Sequence, residues 1–217
     1  IVAISHDQAR RAPSTIDVAE VIHHGIEVAR YPFSDEPGDH VLFLGRMSPD
    51  KGVETAIEIA RRADRPLLIA AKLREPLEID YFHHSVEPLL GSEAIFVGEA
   101  DFGEKVQLMS TATALVNPIH WPEPFGLVMA ESLACGTPVV GGSLGAAPEI
   151  VDHGITGFLA DDVPSLVDAL GKIDRISRRA CRQAVVERFS ADRMAADYAR
   201  FYRRRCPAGP VTHDAVA

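Results

Sequence analysis

Two cationic side chains stand close together in the segment G-R-M-S-P-D-K-G, residues 45–52. The segment follows a short apolar run and precedes an amphipathic stretch, which predicts a strand, a turn and a helix. An arginine can bind a phosphate through two hydrogen bonds, and a lysine adds a mobile charge. Ligands of open α/β folds bind beyond the carboxyl ends of parallel strands, so Arg46 and Lys51 are candidate phosphate ligands. Gly52 would let the backbone approach closely. A solvated turn beside a helix start is the alternative interpretation.

Two glutamates lie eight positions apart in P-E-P-F-G-L-V-M-A-E-S, residues 122–132. The backbone N–H groups of Phe125-Gly126-Leu127 at the predicted helix start would form an anion site, helped by the helix dipole. A retaining glycosidase needs carboxyl groups about 5–5.5 Å apart, whereas eight helical residues rise about 12 Å. Glu123 and Glu131 are therefore expected to accept hydrogen bonds from two parts of one extended ligand. The alternative is a capping acid and an exposed helical acid.

Two glycine-containing segments and one histidine give weaker signals. Small residues in V-G-G-S-L-G-A-A-P-E, residues 140–149, would let backbone amides reach an anion, although an ordinary turn has the same pattern. The segment H-G-I-T-G-F-L, residues 153–159, predicts a turn before a short strand. His120 is a possible site residue because it directly precedes Trp121 and Glu123, whereas His23-His24 is expected at the surface or in the core. The sequence has no H-E-x-x-H or C-x-x-C cluster, so we expect no metal site.

The elements that must position these residues alternate regularly along the chain. Short apolar runs and amphipathic stretches predict an α/β fold, with a parallel sheet covered by helices on both faces. The predicted strands span 41–44, 67–71, 94–97, 114–116 and 138–140, and the predicted helices span 52–63, 77–90, 104–111, 125–135 and 146–151. Beyond residue 165 the periodicity is helical, with Ser190 as an N-cap of the last helix.

Composition excludes several classes of protein. The 217 residues are 47% hydrophobic with a net charge of -9, which supports a sizeable core and argues against nucleic-acid or anionic-membrane binding. No run of about 18 apolar residues predicts a transmembrane segment, and residues 1–5 predict a strand rather than a signal peptide. The three widely spaced cysteines are typical of reduced thiols in a cytosolic protein. We therefore expect a cytoplasmic location, and leave open peripheral membrane contact of a full-length protein.

Four motifs in this order resemble one known family. They are G-R-x(4)-K-G, E-P-F-G-x(4)-E, A-x-G-x-P-V-V and H-G-x-T-G-F-L. Together they resemble the carboxyl-terminal, nucleotide-sugar-binding domain of family-four retaining glycosyltransferases of the GT-B fold, over roughly residues 21–202. The resemblance implies a Rossmann-like domain, one half of a two-domain enzyme whose amino-terminal acceptor domain is missing from this sequence. The implied parts are an interdomain connector and strand (1–20), the donor domain (21–189) and a helix crossing toward the missing domain (190–205). The composition of 206–217 predicts a disordered tail.

The resemblance also implies roles for individual residues. Arg46 and Lys51 would hold the donor diphosphate and stabilise charge on the leaving group. Glu123 would lie near the hydroxyls of the donor sugar, and Glu131 would bind the ribose hydroxyls. The implied catalytic residues are Arg46, Lys51 and Glu123, and the implied donor-binding residues are Gly45, Gly52, Lys72, Val97, Phe125, Gly126, Leu127 and Glu131. Lys72 matches only loosely, and Val97 lies in the segment expected to flank the base.

The implied reaction is transfer of a hexose from a nucleotide diphosphate sugar, with retention of configuration and without a metal or other cofactor. A UDP-hexose is favoured over a GDP-hexose, and the acceptor is unknown. Two segments depart from the family: V-I-H-H-G-I at 21–26 replaces V-I-P-N-G-[IV], and G-A-A-P-E at 145–149 lacks the second glycine of G-G-x-x-E. The alternatives are a nucleotide-sugar 2-epimerase, which the E-P-F-G-x(4)-E element disfavours, and a non-catalytic sugar-nucleotide-binding module. A dinucleotide dehydrogenase is disfavoured because no G-x-G-x-x-G follows a strand.

Overall fold

A computed structural model describes residues 1–206, which form a six-stranded parallel sheet and a separate two-stranded sheet. The strands are β1 Val2–Ala3, β2 Glu20–Val21, β3 Val41–Arg46, β4 Leu67–Lys72, β5 Ala94–Gly98, β6 Ala114–Asn117, β7 Val139–Gly141 and β8 Gly157–Leu159. The helices are α1 His6–Arg11, α2 Val53–Arg62, α3 Pro76–Tyr81, α4 Phe102–Thr111, α5 Leu127–Ala134, α6 Ala147–Ile150, α7 Val163–Leu170, α8 Arg178–Arg188 and α9 Ala191–Arg205. The α/β fold class predicted from the sequence is confirmed.

The order of the strands in the large sheet creates one crevice at its carboxyl edge. The order is β5-β4-β3-β6-β7-β8, and all neighbours are parallel. From β3 the chain builds outward to β5 and then crosses back to β6, so the connections leave β3 and β6 in opposite directions. In doubly wound sheets, ligands bind outside the carboxyl ends of the strands at this switch point.

Burial of apolar side chains explains why these segments form the sheet and its covering layers. The central strands β3 and β6 carry near-continuous apolar runs, and Val41, Leu42 and Leu115 are fully buried, as expected when helices cover both faces. Helices α2 and α7 pack together, and α5 packs against α4 and α8. Gly136 terminates α5 as predicted, because its φ of 87° lies in the left-handed region.

Two predicted elements are shorter than their patterns indicated. The predicted helix 77–90 ends as α3 at Tyr81, and the chain continues through a wide π-type turn, Phe82–Val86, and a 3-10 turn, Glu87–Leu89. Pro88 lies within the 3-10 turn, where its missing backbone N–H removes one donor from any continuing helix. The predicted strand 1–5 is only β1, since the Ser5 side chain accepts from the Gln8 amide and caps α1.

The small sheet and the last helix are joined by an ion pair between Glu20 of β2 and Arg204 of α9. β1 pairs in parallel with β2, which straddles the predicted boundary at residue 20. Ser190 caps α9 as predicted, by accepting from the Arg193 amide. The Arg193 guanidinium donates to the carbonyl oxygens of His23 and His24, 2.8 and 2.9 Å away. The roles assigned to 1–20 and 190–205 stay predictions, and the predicted tail, apart from Cys206, lies outside the described residues.

Candidate functional site

An ion pair spans the switch point between β3 and β6. Lys51 ends the 3-10 turn that follows β3, and its Nζ donates to Oε2 of Glu123 in the loop between β6 and α5. The indole N–H of Trp121 donates to the same oxygen at 3.2 Å, and Lys51 Nζ lies 5.2 Å from the Trp121 ring centroid. The two charged side chains are only 16% and 20% exposed. The structure thus brings two predicted catalytic residues into direct contact.

Two glycines allow the loops around this ion pair to touch. Gly52 has a φ of 75°, and a Cβ there would lie 2.1 Å from the Pro118 carbonyl oxygen. Gly145 has a φ of 66°, and a Cβ there would lie 2.4 Å from both the backbone nitrogen and oxygen of Glu123. Neither position has room for a side chain. At Gly45, by contrast, a Cβ would make only ordinary contacts, 3.5 Å from the Phe43 ring, so the protein does not itself require glycine there.

Arg46 and Lys72 are partners in register at the carboxyl ends of β3 and β4. In-register residues of neighbouring strands place their side chains on the same face of the sheet. Arg46 is 54% exposed and lies 3.5 Å from Asp50, whereas Lys72 Nζ lies 3.3 Å from Glu75 and 3.4 Å from Glu78. Lys72, whose match to the family was loose, is therefore directly beside Arg46 at the edge of the crevice.

The amino terminus of α5 supplies backbone donors next to Glu123. Gly126 precedes the helix with a φ of 90°, and a Cβ there would lie 2.3 Å from Met129 Cε. Among residues 1–206, the amides of Phe125-Gly126-Leu127 have no hydrogen-bond partner. The Leu127 side chain is 45% exposed, but Phe125 is 3% exposed and packs against His24 and Phe189. The Phe125 ring is therefore part of the core and does not face a ligand.

Glu131 lies one helical turn further along α5 and has two partners that the motifs did not predict. Its Oε1 accepts from the Tyr31 hydroxyl at 2.8 Å and from Lys105 Nζ at 2.7 Å. Burial, and then the hydrogen bond to Glu131, raise the pKa of Tyr31 above its usual range, so Tyr31 stays a proton donor. Tyr31, Lys105 and Trp121 lie outside the predicted site set. Only Trp121, two positions before Glu123, had a signal in the sequence.

Two predicted site residues lie away from these contacts. Val97 lines a cavity of 420 Å³ beside α4, together with Leu108 and Thr111. His120 donates its backbone amide to the Asp50 carbonyl at 2.9 Å, and its ring bonds to Thr55 at 2.9 Å. The His120 ring borders a different cavity of 180 Å³. Roles of Val97 and His120 in donor binding stay predictions.

Glu149, at the end of the third glycine-containing segment, holds the start of α1. Its oxygens accept from the backbone amides of His6 and Asp7 and from His23 Nε2, each at 2.8 Å. Burial acts to raise the pKa of Glu149, but these hydrogen bonds outweigh it and hold that pKa below its ordinary value. The potential ligand atoms of His6, His23 and Glu149 lie within 4.8 Å of one another. Three N–H donors already occupy both oxygens of the carboxylate, which accounts for the cluster structurally.

Residues 30–185 match a family model described as "Glycosyl transferases group 1". The chain belongs to this family. The match covers most of the sequence and includes the ion pair, the α5 amides and Glu131, so the family predicted from the four motifs is confirmed.

Relatives of this group 1 glycosyl transferase are longer than the chain. It is 33% identical to the glycogen synthase of Mycobacterium tuberculosis over 199 residues, which cover 84% of this chain and 47% of that protein. The chain thus spans about half the length of this curated relative. None of the helices within residues 1–206 is both long enough and apolar enough to cross a membrane.

Solved structures share its fold over nearly the whole chain. A glycosyltransferase of avilamycin A biosynthesis, AviGT4, superposes with a TM-score of 0.81 at 26% identity, covering 96% of this chain and 64% of that one. Sucrose-phosphate synthase from Thermosynechococcus elongatus superposes with a TM-score of 0.82 at 25% identity, covering 96% and 58%. The GT-B type of fold expected from the resemblance is confirmed.

Proposed function

We propose that this chain binds a nucleoside diphosphate hexose at the switch point between β3 and β6, as the donor-binding half of a retaining hexosyltransferase. The observation that supports this most is the contact of Lys51 with Glu123, beside the unpaired amides at the start of α5. Cation, amide donors and carboxylate thereby lie together at the carboxyl edge of the sheet. A diphosphate needs the first two, and sugar hydroxyls need an acceptor such as the third.

The charges at the site fit a ligand that displaces an internal ion pair. Lys51 is neutralised by Glu123 in the structure described here. A bound diphosphate would draw Lys51 toward its oxygens, with Arg46 as a second cation, and leave Glu123 to accept from a hydroxyl of the hexose. Glu123 is suited to this role because its Oε1 has no partner among residues 1–206. The two cations would stabilise the negative charge that develops on the departing diphosphate.

In the proposed reaction, the bond from the anomeric carbon to the diphosphate oxygen breaks, and a bond to the acceptor oxygen forms on the same face of the sugar. The departing diphosphate oxygen takes the proton of the acceptor hydroxyl. Arg46 and Lys51 supply the positive charge that this step needs, so the proposal includes no metal. We propose a UDP-hexose rather than a GDP-hexose as donor, and the acceptor contacts belong to a domain outside this chain.

Calorimetric titration of the chain with UDP, GDP and their hexose conjugates tests the donor site. We expect one nucleotide series to bind. Replacement of Lys51 by alanine should weaken binding about 10- to 100-fold, the effect expected for one hydrogen bond to a charged group. Lys172→Ala is the matched control, because Lys172 makes a surface ion pair with Asp168 within one helical turn. Absence of binding in both series, or an unchanged affinity of Lys51→Ala, would refute the proposed site.

Retention is tested separately on the full-length protein, by proton NMR of the hexose released during slow hydrolysis of the donor. An α-linked donor should release the α-anomer first. If the β-anomer appears first, the transfer inverts configuration.

A further inference from the structure

Both acidic residues of the E-x(7)-E element have one carboxylate oxygen occupied and the other without a partner among residues 1–206. In Glu131, Oε1 receives two hydrogen bonds, from Tyr31 and Lys105, and Oε2 has no partner within the described chain. Two good donors saturate the lone pairs of a carboxylate oxygen. Any further hydrogen bond to Glu131 must therefore go to Oε2.

The two donors are themselves held in place by an aromatic contact. The Tyr31 and Phe102 rings meet edge to face, with centroids 5.7 Å apart. Lys105 Nζ lies 5.3 Å from the Phe102 centroid, and the Arg30 guanidinium lies 4.3 Å from it. Cations near an aromatic face are attracted to it, and partial burial strengthens that attraction. Tyr31 is buried, and the Lys105 side chain is 21% exposed, so neither donor is a freely moving surface group.

We propose that Tyr31 and Lys105 are positioning residues that orient Glu131 so that its Oε2 alone accepts from the ribose of the donor. This inference rests on the proposed function, in which Glu131 binds the ribose. A free carboxylate could accept from both ribose hydroxyls, one on each oxygen. With Oε1 saturated, both ribose hydroxyls must share Oε2, and we expect the hydroxyl that aligns better with this single fixed oxygen to dominate nucleotide affinity.

The inference is tested by titrating the wild-type chain with UDP, 2′-deoxy-UDP and 3′-deoxy-UDP, or with the guanosine counterparts if GDP is the nucleotide that binds. We expect loss of one hydroxyl to weaken binding about 10- to 100-fold and loss of the other to have a much smaller effect. In Tyr31→Phe and Lys105→Met, the ratio between the two affinity losses should fall to about 3-fold or less, because the Glu131 carboxylate can then rotate. Lys105→Arg should restore part of it, since arginine also donates to carboxylates.

Tyr81→Phe is the matched control, because the Tyr81 hydroxyl donates to Glu54 at 2.9 Å in another tyrosine–glutamate pair. It should keep the wild-type discrimination. Thermal melting of each variant separates positioning from stability: a purely structural role would lower the melting temperature and leave the ratio of affinities unchanged. That result, or equal effects of both deoxy substitutions in the wild type, would overturn the inference while donor binding stands. If neither UDP nor GDP binds, the proposed function itself fails and this inference fails with it.

Discussion

Replacing Gly145 by alanine would place a methyl group against the backbone that carries Glu123. The added Cβ would lie 2.4 Å from the nitrogen and the oxygen of Glu123 and 2.7 Å from the carbonyl carbon of Pro122. These are backbone atoms, so no side chain can simply rotate away. The Ala146 amide also donates to the Glu123 carbonyl at 2.9 Å, which ties the two loops together. The substitution should therefore shift the Glu123 loop as well as destabilise the fold.

The expected loss in the free energy of unfolding of Gly145→Ala is the sum of two separate effects. A non-glycine residue in the left-handed region costs about 1–2 kcal/mol, and an overpacked contact costs about 1–3 kcal/mol more. Gly154 isolates the first effect, because its φ is 81° and an added Cβ would meet nothing within 4 Å. We expect Gly154→Ala to lower the free energy of unfolding by about 1–2 kcal/mol and Gly145→Ala by about 2–5 kcal/mol.

Urea unfolding of the two variants and the wild type measures these free energies, and calorimetry with the bound nucleotide sugar measures the site. Gly145→Ala should weaken donor affinity, whereas Gly154→Ala should leave it unchanged. The reasoning is wrong if the two variants lose the same stability to within about 0.5 kcal/mol, the usual scatter of surface substitutions. It is also wrong if Gly145→Ala binds the donor as tightly as the wild type.

Two further predictions concern groups that hold the fold. Arg178 is buried and donates to three backbone carbonyl oxygens and a threonine hydroxyl. Arg178→Met should lower the free energy of unfolding by about 3 kcal/mol or more, because buried acceptors lose their donor. Arg179→Met, at an exposed ion pair, should change it by less than about 1 kcal/mol, and equal losses would contradict this. Because the pKa of Glu149 is lowered in the fold, its contribution is lost as pH falls below 4.5. The Glu149→Gln variant should thus show a flatter decline in urea midpoint below that pH, and parallel declines would disprove the assignment.

The layered α/β architecture could be predicted because its physical cause is local. Strands buried on both faces need near-continuous apolar runs, and helices between them need amphipathic periodicity, so the alternation is visible along the chain. The helix predicted over 77–90 and the strand predicted over 1–5 are longer than α3 and β1. Apolar periodicity does not distinguish an α-helix from the π-type and 3-10 turns that follow α3, and Ser5 ends the strand by capping α1.

The sequence identified individual candidate residues of the site, but not which of them contact one another. Arg46, Lys51 and Glu123 follow apolar runs, so their position at strand ends is visible in the sequence. That Lys51 contacts Glu123, 72 positions away, depends on β3 lying beside β6. Glu123 and Glu131 have separate partners in the structure, and the spacing argument against a hydrolytic pair stays a prediction.

The sequence by itself determined the family and the fold class, because ordered motifs and apolar periodicity are properties of the chain. Only the tertiary structure decided which groups surround the acids. Tyr31 and Lys105 lie 100 and 26 positions from Glu131 and belong to no motif. Lys105 reaches the carboxylate oxygen because α4 packs against α5, and Tyr31 reaches the same oxygen from the turn that precedes β3. Such contacts arise from strand order and helix packing, which bring together residues whose separation in the chain carries no information about their distance.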